Sequence, residues 1–136
     1  MITVGILTMS DKGSRGERED LSGKEIEKMV KDLPAQVLAY EIIPDEIEII
    51  SRKLIEFADE KKLDLIITTG GTGVTPRDVT PEATKAVIER ELPGMAEAMR
   101  FESLKKTPNA MISRAVCGTR KETLIINLPG SPRGVR

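Results

Sequence analysis

Two aspartates and one glycine-rich run are the residues of this sequence whose types and spacing best suit chemistry. The run is Thr68-Thr69-Gly70-Gly71-Thr72-Gly73. Its three glycines let the backbone turn tightly and bring N–H groups against an anion with no β-carbon in the way. It is not a Walker A loop, because no Gly-Lys-Ser/Thr follows, and it is not the Gly-x-Gly-x-x-Gly dinucleotide fingerprint. A ligand-free strand-to-helix turn is the plain alternative. Asp78 follows in Arg77-Asp78-Val79-Thr80-Pro81, just ahead of Thr80, which reads as a helix cap, so capping does not explain it. A carboxylate leaving an anion-cradling loop suits Mg²⁺ held against phosphate oxygens, and a solvated loop aspartate is the alternative. Asp45 follows Pro44 and has Glu48 three residues later. Local evidence favours a capping box there, although a cap can still lend its outer oxygen to a metal.

Leu128-Pro129-Gly130-Ser131-Pro132 reads as the end of a strand and the start of a helix, with Ser131 as N-cap. The amides of such a terminus favour anions, and a helix start without a ligand fits equally well. Arg100, Arg114 and Arg120 have the charge to meet phosphate, against a default of no role. Cys117 reads as a small core residue rather than a nucleophile.

What the sequence lacks narrows the chemistry further. It contains no histidine and one cysteine, which excludes imidazole base catalysis, a Ser-His-Asp triad, a His-ligated zinc site and an intrachain disulfide. Lys plus Arg is 21 and Asp plus Glu is 22. That balance argues against nucleic acid and membrane surfaces as partners. The three aromatic side chains, Tyr40, Phe57 and Phe101, are too few for a single-strand stacking platform. No run approaches the ~18 apolar residues of a membrane span, and the N-terminus lacks a basic leader, so the expected location is cytoplasmic.

The elements that must position these residues alternate. Ile2 to Thr8 is a short apolar run predicted as a buried strand, and residues 9–20 are predicted as a long loop. Ile26, Met29, Val30 and Leu33 predict a helix over 22–33, and Gln36 to Ile43 a second strand. Ile47, Ile50, Leu54, Phe57 and Ala58 share one side of a helix predicted over 46–62. Leu63 to Thr69 is a third strand, and Thr80-Pro81-Glu82 opens a helix with Thr80 as cap and Pro81 at its first position. Pro93 opens another, with Met95, Ala98 and Met99 inward. Ala115–Thr119 and Thr123–Leu128 read as a hairpin around Arg120-Lys121-Glu122. The sum is a three-layer α/β/α sandwich, with a mostly parallel sheet plus an antiparallel hairpin element. In such a sheet, ligands bind beyond the carboxyl ends of the strands at a switch in strand order. The loops after the first three strands, carrying Asp45 and Gly70, are expected to converge there.

Five blocks in order then resemble the molybdenum-cofactor biosynthesis family of MogA and MoaB, related to the gephyrin G domain. They are Thr8-Met9-Ser10-Asp11, Glu19-Asp20-Leu21-Ser22-Gly23, Ile43-Pro44-Asp45-Glu46, the glycine run with Arg77 to Thr84, and Ile125 to Pro132. The resemblance covers the chain as one molybdopterin-binding-like domain over 1–136. It implies a homotrimer that transfers AMP from ATP to the terminal phosphate of molybdopterin with Mg²⁺, and hand-over of the product to a molybdate-insertion enzyme. It implies Asp45 and Asp78 as catalytic and metal-holding carboxylates. Substrate-binding positions under it are Ser10, Asp11, Thr69, Gly70, Gly71, Thr72, Gly73, Ser113 and Ser131. Two departures stand out. Family members continue past Pro-Gly-Ser-Pro with a terminal helix that this sequence does not include, and Lys121 occupies a turn position that is commonly glycine.

Two rival readings remain at this stage. A non-catalytic molybdopterin-binding protein of the MoaB type is disfavoured by the presence of both aspartates. A nicotinamide-nucleotide-processing relative would carry Asp-Asp where this chain has Arg77-Asp78.

Overall fold

A computed structural model describes residues 1–16 and 20–129. Among the described residues one six-stranded sheet runs in the order β2-β1-β3-β6-β5-β4. The strands are β1 (Ile2–Met9), β2 (Ala35–Ile43), β3 (Leu65–Thr69), β4 (Arg90–Glu91), β5 (Cys117–Arg120) and β6 (Thr123–Leu128). β1 pairs in parallel with β2 and β3, and β3 in parallel with β6. β5 and β4 add antiparallel pairs at one edge. The expected sandwich is therefore present, with a two-residue edge strand that the sequence did not announce.

Period-two alternation along the strands splits the core between two layers. Val4 and Ile6 of β1 bury against Ile26 and Val30 of α2 (Leu21–Val30). Leu7 and Met9 point the other way, into a cluster with Ile50 and Leu54 of α3 (Ile47–Ile55) and Ala83 and Val87 of α4 (Thr80–Val87). Gly5 is required between them, because a β-carbon there would lie 2.6 Å from Leu63 and 2.7 Å from Phe57. Phe57 sits in a π-helical turn, Glu56–Glu60, that continues α3. α5 (Pro93–Leu104) packs on β5 and on a 3₁₀ turn over Pro108–Ile112.

Several local expectations are corrected. Residues 9–20 are not all loop: Ser10 caps a one-turn helix, α1 (Asp11–Ser14), by accepting from the Gly13 N–H at 3.0 Å. The second helix begins at Leu21, where the buried Asp20 caps it through Gly23 N at 2.9 Å, and Leu33 lies beyond its end and exposed. Ile47 and Met29 are exposed although they fit the apolar spacing, since each lies at the margin of its helix's stripe. In α5 it is Ala96 that buries, while Met95 and Ala98 are exposed, and Met99 is half-buried with its sulfur 3.9 Å from Cys117 Sγ. Cys117 itself is fully buried, as a core residue should be. Ser131 and the helix start expected around it lie outside the described residues, as does Glu19.

Candidate functional site

The parallel strands β1, β2, β3 and β6 all end on one edge of the sheet, and strand order reverses between β1 and β3. A cleft of about 570 Å³ opens there. Its walls include Thr8, Met9 and Ser10 at the end of β1, Ile42 and Asp45 at the end of β2, Thr69, Gly70 and Gly71 at the end of β3, Asp78, and Asp20 with Ser22 at the start of α2. The three loops thus converge as the topology requires.

The glycine turn is shaped by contacts that only glycine permits. Gly70 and Gly71 have φ of 97° and 68°, values at which other residues are strained. A β-carbon on Gly70 would lie 2.5 Å from the Met9 carbonyl oxygen. One on Gly71 would lie 2.4 Å from Thr80 Oγ1 and 3.1 Å from Asp45 Oδ1. One on Gly73 would lie 2.8 Å from Asp78 Oδ2. The same run of backbone therefore presses against both candidate carboxylates.

Thr80 is not the cap that its position suggests. It is the first residue of α4, Val79 precedes it, and no side chain caps the helix. Its hydroxyl donates instead to the Gly70 carbonyl at 3.0 Å, and its N–H to the Gly71 carbonyl at 3.1 Å. A left-handed turn leaves those carbonyls without ladder partners, and Thr80 supplies them. Asp45 is likewise not a cap. Glu46 precedes α3, again without a side-chain bond, which leaves the Asp45 carboxylate to the cleft.

Asp78 ends a tight turn. Its Oδ2 accepts from Thr75 N at 2.9 Å and Thr75 Oγ1 at 2.7 Å, and neither bond uses Oδ1. Asp45 is half-buried. Burial first, and then the negative charge of Asp11, push its carboxyl pKa up, and Asp78 adds in the same direction. The neighbouring Asp11 shifts the opposite way. A fork from Arg77, with Nε at 3.0 Å and Nη2 at 2.9 Å, holds its carboxyl below the usual range, and the Asp45 N–H at 3.0 Å assists.

Of the expected substrate positions, Ser10, Thr69, Gly70 and Gly71 line the cleft with the two aspartates. Asp11 stands beside it, engaged with Arg77 and Asp45. Thr72, Gly73 and Ser113 are not on its walls: Thr72 is buried, and Ser113 Oγ is 3.4 Å from the N–H of Ala115. The three arginines serve the protein. Arg100 donates to the Ala115 carbonyl, Arg120 pairs with Asp59, and Arg114 grips the glycine loop and α4.

Two residues without an assigned role prove central. Asp20 accepts from Thr8 Oγ1 at 2.7 Å and from the Tyr40 hydroxyl while it caps α2. Asn127, fully buried, donates to Thr68 and Thr84 hydroxyls at 3.0 and 3.1 Å and accepts from Val116 N at 3.0 Å, so it ties β6 to β3 and α4. A polar residue inside the apolar run Ile125 to Leu128 was the available signal for Asn127.

The sequence profile described as "Probable molybdopterin binding domain" matches residues 5–136. The chain belongs to this molybdopterin-binding domain family. It is 48% identical over 137 residues to a molybdopterin adenylyltransferase of Helicobacter pylori, covering 99% of this chain and 78% of that protein. It is 45% identical over 143 residues to gephyrin of Dictyostelium discoideum, covering 98% of this chain and 20% of that protein. The crystal structure of the molybdopterin biosynthesis enzyme MoaB from Thermus thermophilus superposes with a TM-score of 0.94 at 54% identity, covering 100% of this chain and 86% of that one. The family resemblance carried by the five sequence blocks is thereby borne out. No helix among the described residues is long and apolar enough to cross a membrane.

The charge of the cleft is its most telling feature. Among the described residues its walls carry Asp20, Asp45 and Asp78 and no lysine or arginine. No group of three metal-ligating side chains converges among the described residues. Mg²⁺ fits that donor set, because it is held by one or two carboxylates and takes its other ligands from phosphate and water.

Proposed function

We propose that this chain is a molybdopterin adenylyltransferase. An oxygen of the terminal phosphate of molybdopterin attacks the α-phosphorus of ATP, the bond to the β-phosphate breaks, and pyrophosphate leaves. The observation that carries the reading is a cleft of about 570 Å³ walled by aspartates and a glycine turn. Polyanionic substrates do not enter such a cleft without a cation to offset the carboxylates. Relatives named molybdopterin adenylyltransferase at 48% and 42% identity support the same reaction.

Asp45 and Asp78 are the residues that would hold Mg²⁺. When bound, the ion supplies charge neutralisation for the leaving pyrophosphate. The chain supplies the rest. Gly70 and Gly71 keep side chains out of the space where phosphates lie, and their turn is fixed by Thr80. Asp45, costly to ionise in its half-buried position, gains from a neighbouring cation. A phosphate is already anionic at neutral pH, so no histidine is needed, and positioning with charge stabilisation does the work.

In this reading the protein acts in the cytoplasm as a homotrimer and passes its product to a molybdate-insertion enzyme. Exposed Phe101, Leu104, Met111 and Ile112, on α5 and the following turn, support burial of that surface between copies. The decisive experiment mixes the protein with molybdopterin, ATP and Mg²⁺ and follows adenylylated molybdopterin by mass. Turnover should be lost by roughly 10²- to 10³-fold in Asp45→Ala and in Asp78→Ala, as for one removed electrostatic contributor. Molybdopterin binding by the unaltered chain without AMP transfer overturns the proposal and leaves a binding module.

A further inference from the structure

One ion pair joins the two segments that carry the proposed metal ligands. Asp11 opens α1, and its Oδ1 accepts the backbone N–H of Asp45 at 3.0 Å. Arg77 immediately precedes Asp78, inside the turn that the Asp78 carboxylate closes on Thr75. From there Arg77 reaches Asp11 with both prongs of its fork, Nε to Oδ2 at 3.0 Å and Nη2 to Oδ1 at 2.9 Å. We propose that the Asp11–Arg77 pair is a positioning device that ties the Asp45 and Asp78 segments together and sets the spacing of the two carboxylates. The inference rests on the reading that those carboxylates hold a divalent cation against phosphate.

Three observations favour this role over a contribution to stability or a direct substrate contact. The pair is solvated, with the Arg77 side chain 58% exposed and Asp11 28%, and exposed pairs add little to global stability. A two-pronged contact fixes orientation as well as distance, which a point charge does not. Finally, both Asp11 oxygens are engaged, Oδ1 with Asp45 and Arg77 together and Oδ2 with Arg77.

The test uses the full chain with Arg77→Gln, Asp11→Asn, the double variant and Arg77→Lys. Amide hydrogen exchange at Asp45 is the readout that does not depend on turnover. Arg77→Gln should speed Asp45 exchange several-fold while the thermal midpoint stays near that of the unaltered chain. In AMP transfer, kcat should fall roughly ten- to a hundredfold, as for a small misplacement of reacting groups, with KM values changing much less. Arg77→Lys, which keeps charge but not the fork, should lie between. The double variant should be no worse than the worse single one, because both remove the same tie. Wild-type protection of Asp45 in Arg77→Gln overturns the proposal, and so do kcat losses that multiply in the double variant. If the unaltered chain transfers no AMP, the reaction fails while Asp45 exchange still decides the tie.

Discussion

Arg114 Nη2 donates to the carbonyl oxygen of Asp78 at 2.6 Å, across 36 positions of sequence. The same guanidinium reaches the Gly73 carbonyl through Nε at 2.7 Å and pairs with Glu82 on α4, while the Arg114 N–H donates to the Thr72 carbonyl at 2.8 Å. Both ends of the loop between the glycines and Asp78 therefore hang on one side chain. Arg114→Lys keeps the charge, but a single ammonium does not span three acceptors. We expect a loss of about 1–2 kcal/mol in denaturant unfolding, from one or two hydrogen bonds. AMP transfer should drop further than that stability loss explains. A variant with the rate of the parent would show that the loop holds Asp78 without help.

Gly71→Ala combines two penalties. Its φ of 68° lies in the left-handed region, and the new β-carbon would fall 2.4 Å from Thr80 Oγ1 and 3.1 Å from Asp45 Oδ1. The backbone cost alone is about 1–2 kcal/mol, and relief of the clash must displace Thr80 or Asp45. Thermal unfolding should show the modest destabilisation, and turnover a much larger loss. Gly16→Ala, also at positive φ but with nothing within 4 Å of the new atom, isolates the backbone part.

Asp45 and Asp11 should respond to pH with opposite signs. Burial, then Asp11, raise the Asp45 pKa above 3.8. The folded chain therefore keeps a proton that the unfolded chain has already lost, and stability falls as pH rises through that window. Asp45→Asn should accordingly melt higher than the parent at neutral pH and lose its advantage below 3.8. The hydrogen bond from Arg77, then the Asp45 N–H, lower the Asp11 pKa from 3.8. Its contribution is present above 3.8 and lost as pH falls through the folded value. Because the Asp11–Arg77 pair is solvated, Asp11→Asn should melt only slightly lower at neutral pH, with the difference closing in acid. Melting curves from about pH 3 to about pH 8 compare the two, and shifts of the same sign would contradict the assignment.

Asn127→Leu removes the hub between β6, β3 and α4. Val116 N–H loses its side-chain acceptor, and the Thr68 and Thr84 hydroxyls lose a donor, all in a region closed to water. An orphaned buried donor costs about 1–3 kcal/mol. The variant should lose at least that in chemical denaturation, and a gain in stability would mean that the network is dispensable.

Most of the framework was legible because apolar period and glycine placement report directly on burial and turns. β1, β3 and β6 follow from runs such as Ile66-Ile67 and Ile125-Ile126, and the convergence of Asp45 with Gly70 follows from parallel strands ending on one edge. The caps were misread where a polar residue had a better use elsewhere. Thr80 serves the Gly70 carbonyl and Asp45 the cleft, both long-range demands that local spacing does not encode. The margins of helical stripes failed for the same reason: whether Ile47, Met95 or Ala98 buries depends on what stands opposite. Lys121 shows a different kind of legibility. The turn position commonly held by glycine indeed has φ of 52°, and this chain tolerates lysine there with its N–H bonded to Glu89.

Tyr40 is the one tyrosine in a sequence that contains no tryptophan. Its phenol donates to Asp20, and Asp20 forms part of the cleft wall. Emission excited in the tyrosine band therefore issues from a single ring whose hydroxyl donates to a carboxylate, and no indole drains the excited state. Whatever enters and shifts Asp20 should change that brightness. The molecule carries its own gauge of occupancy, readable without a dye or a label.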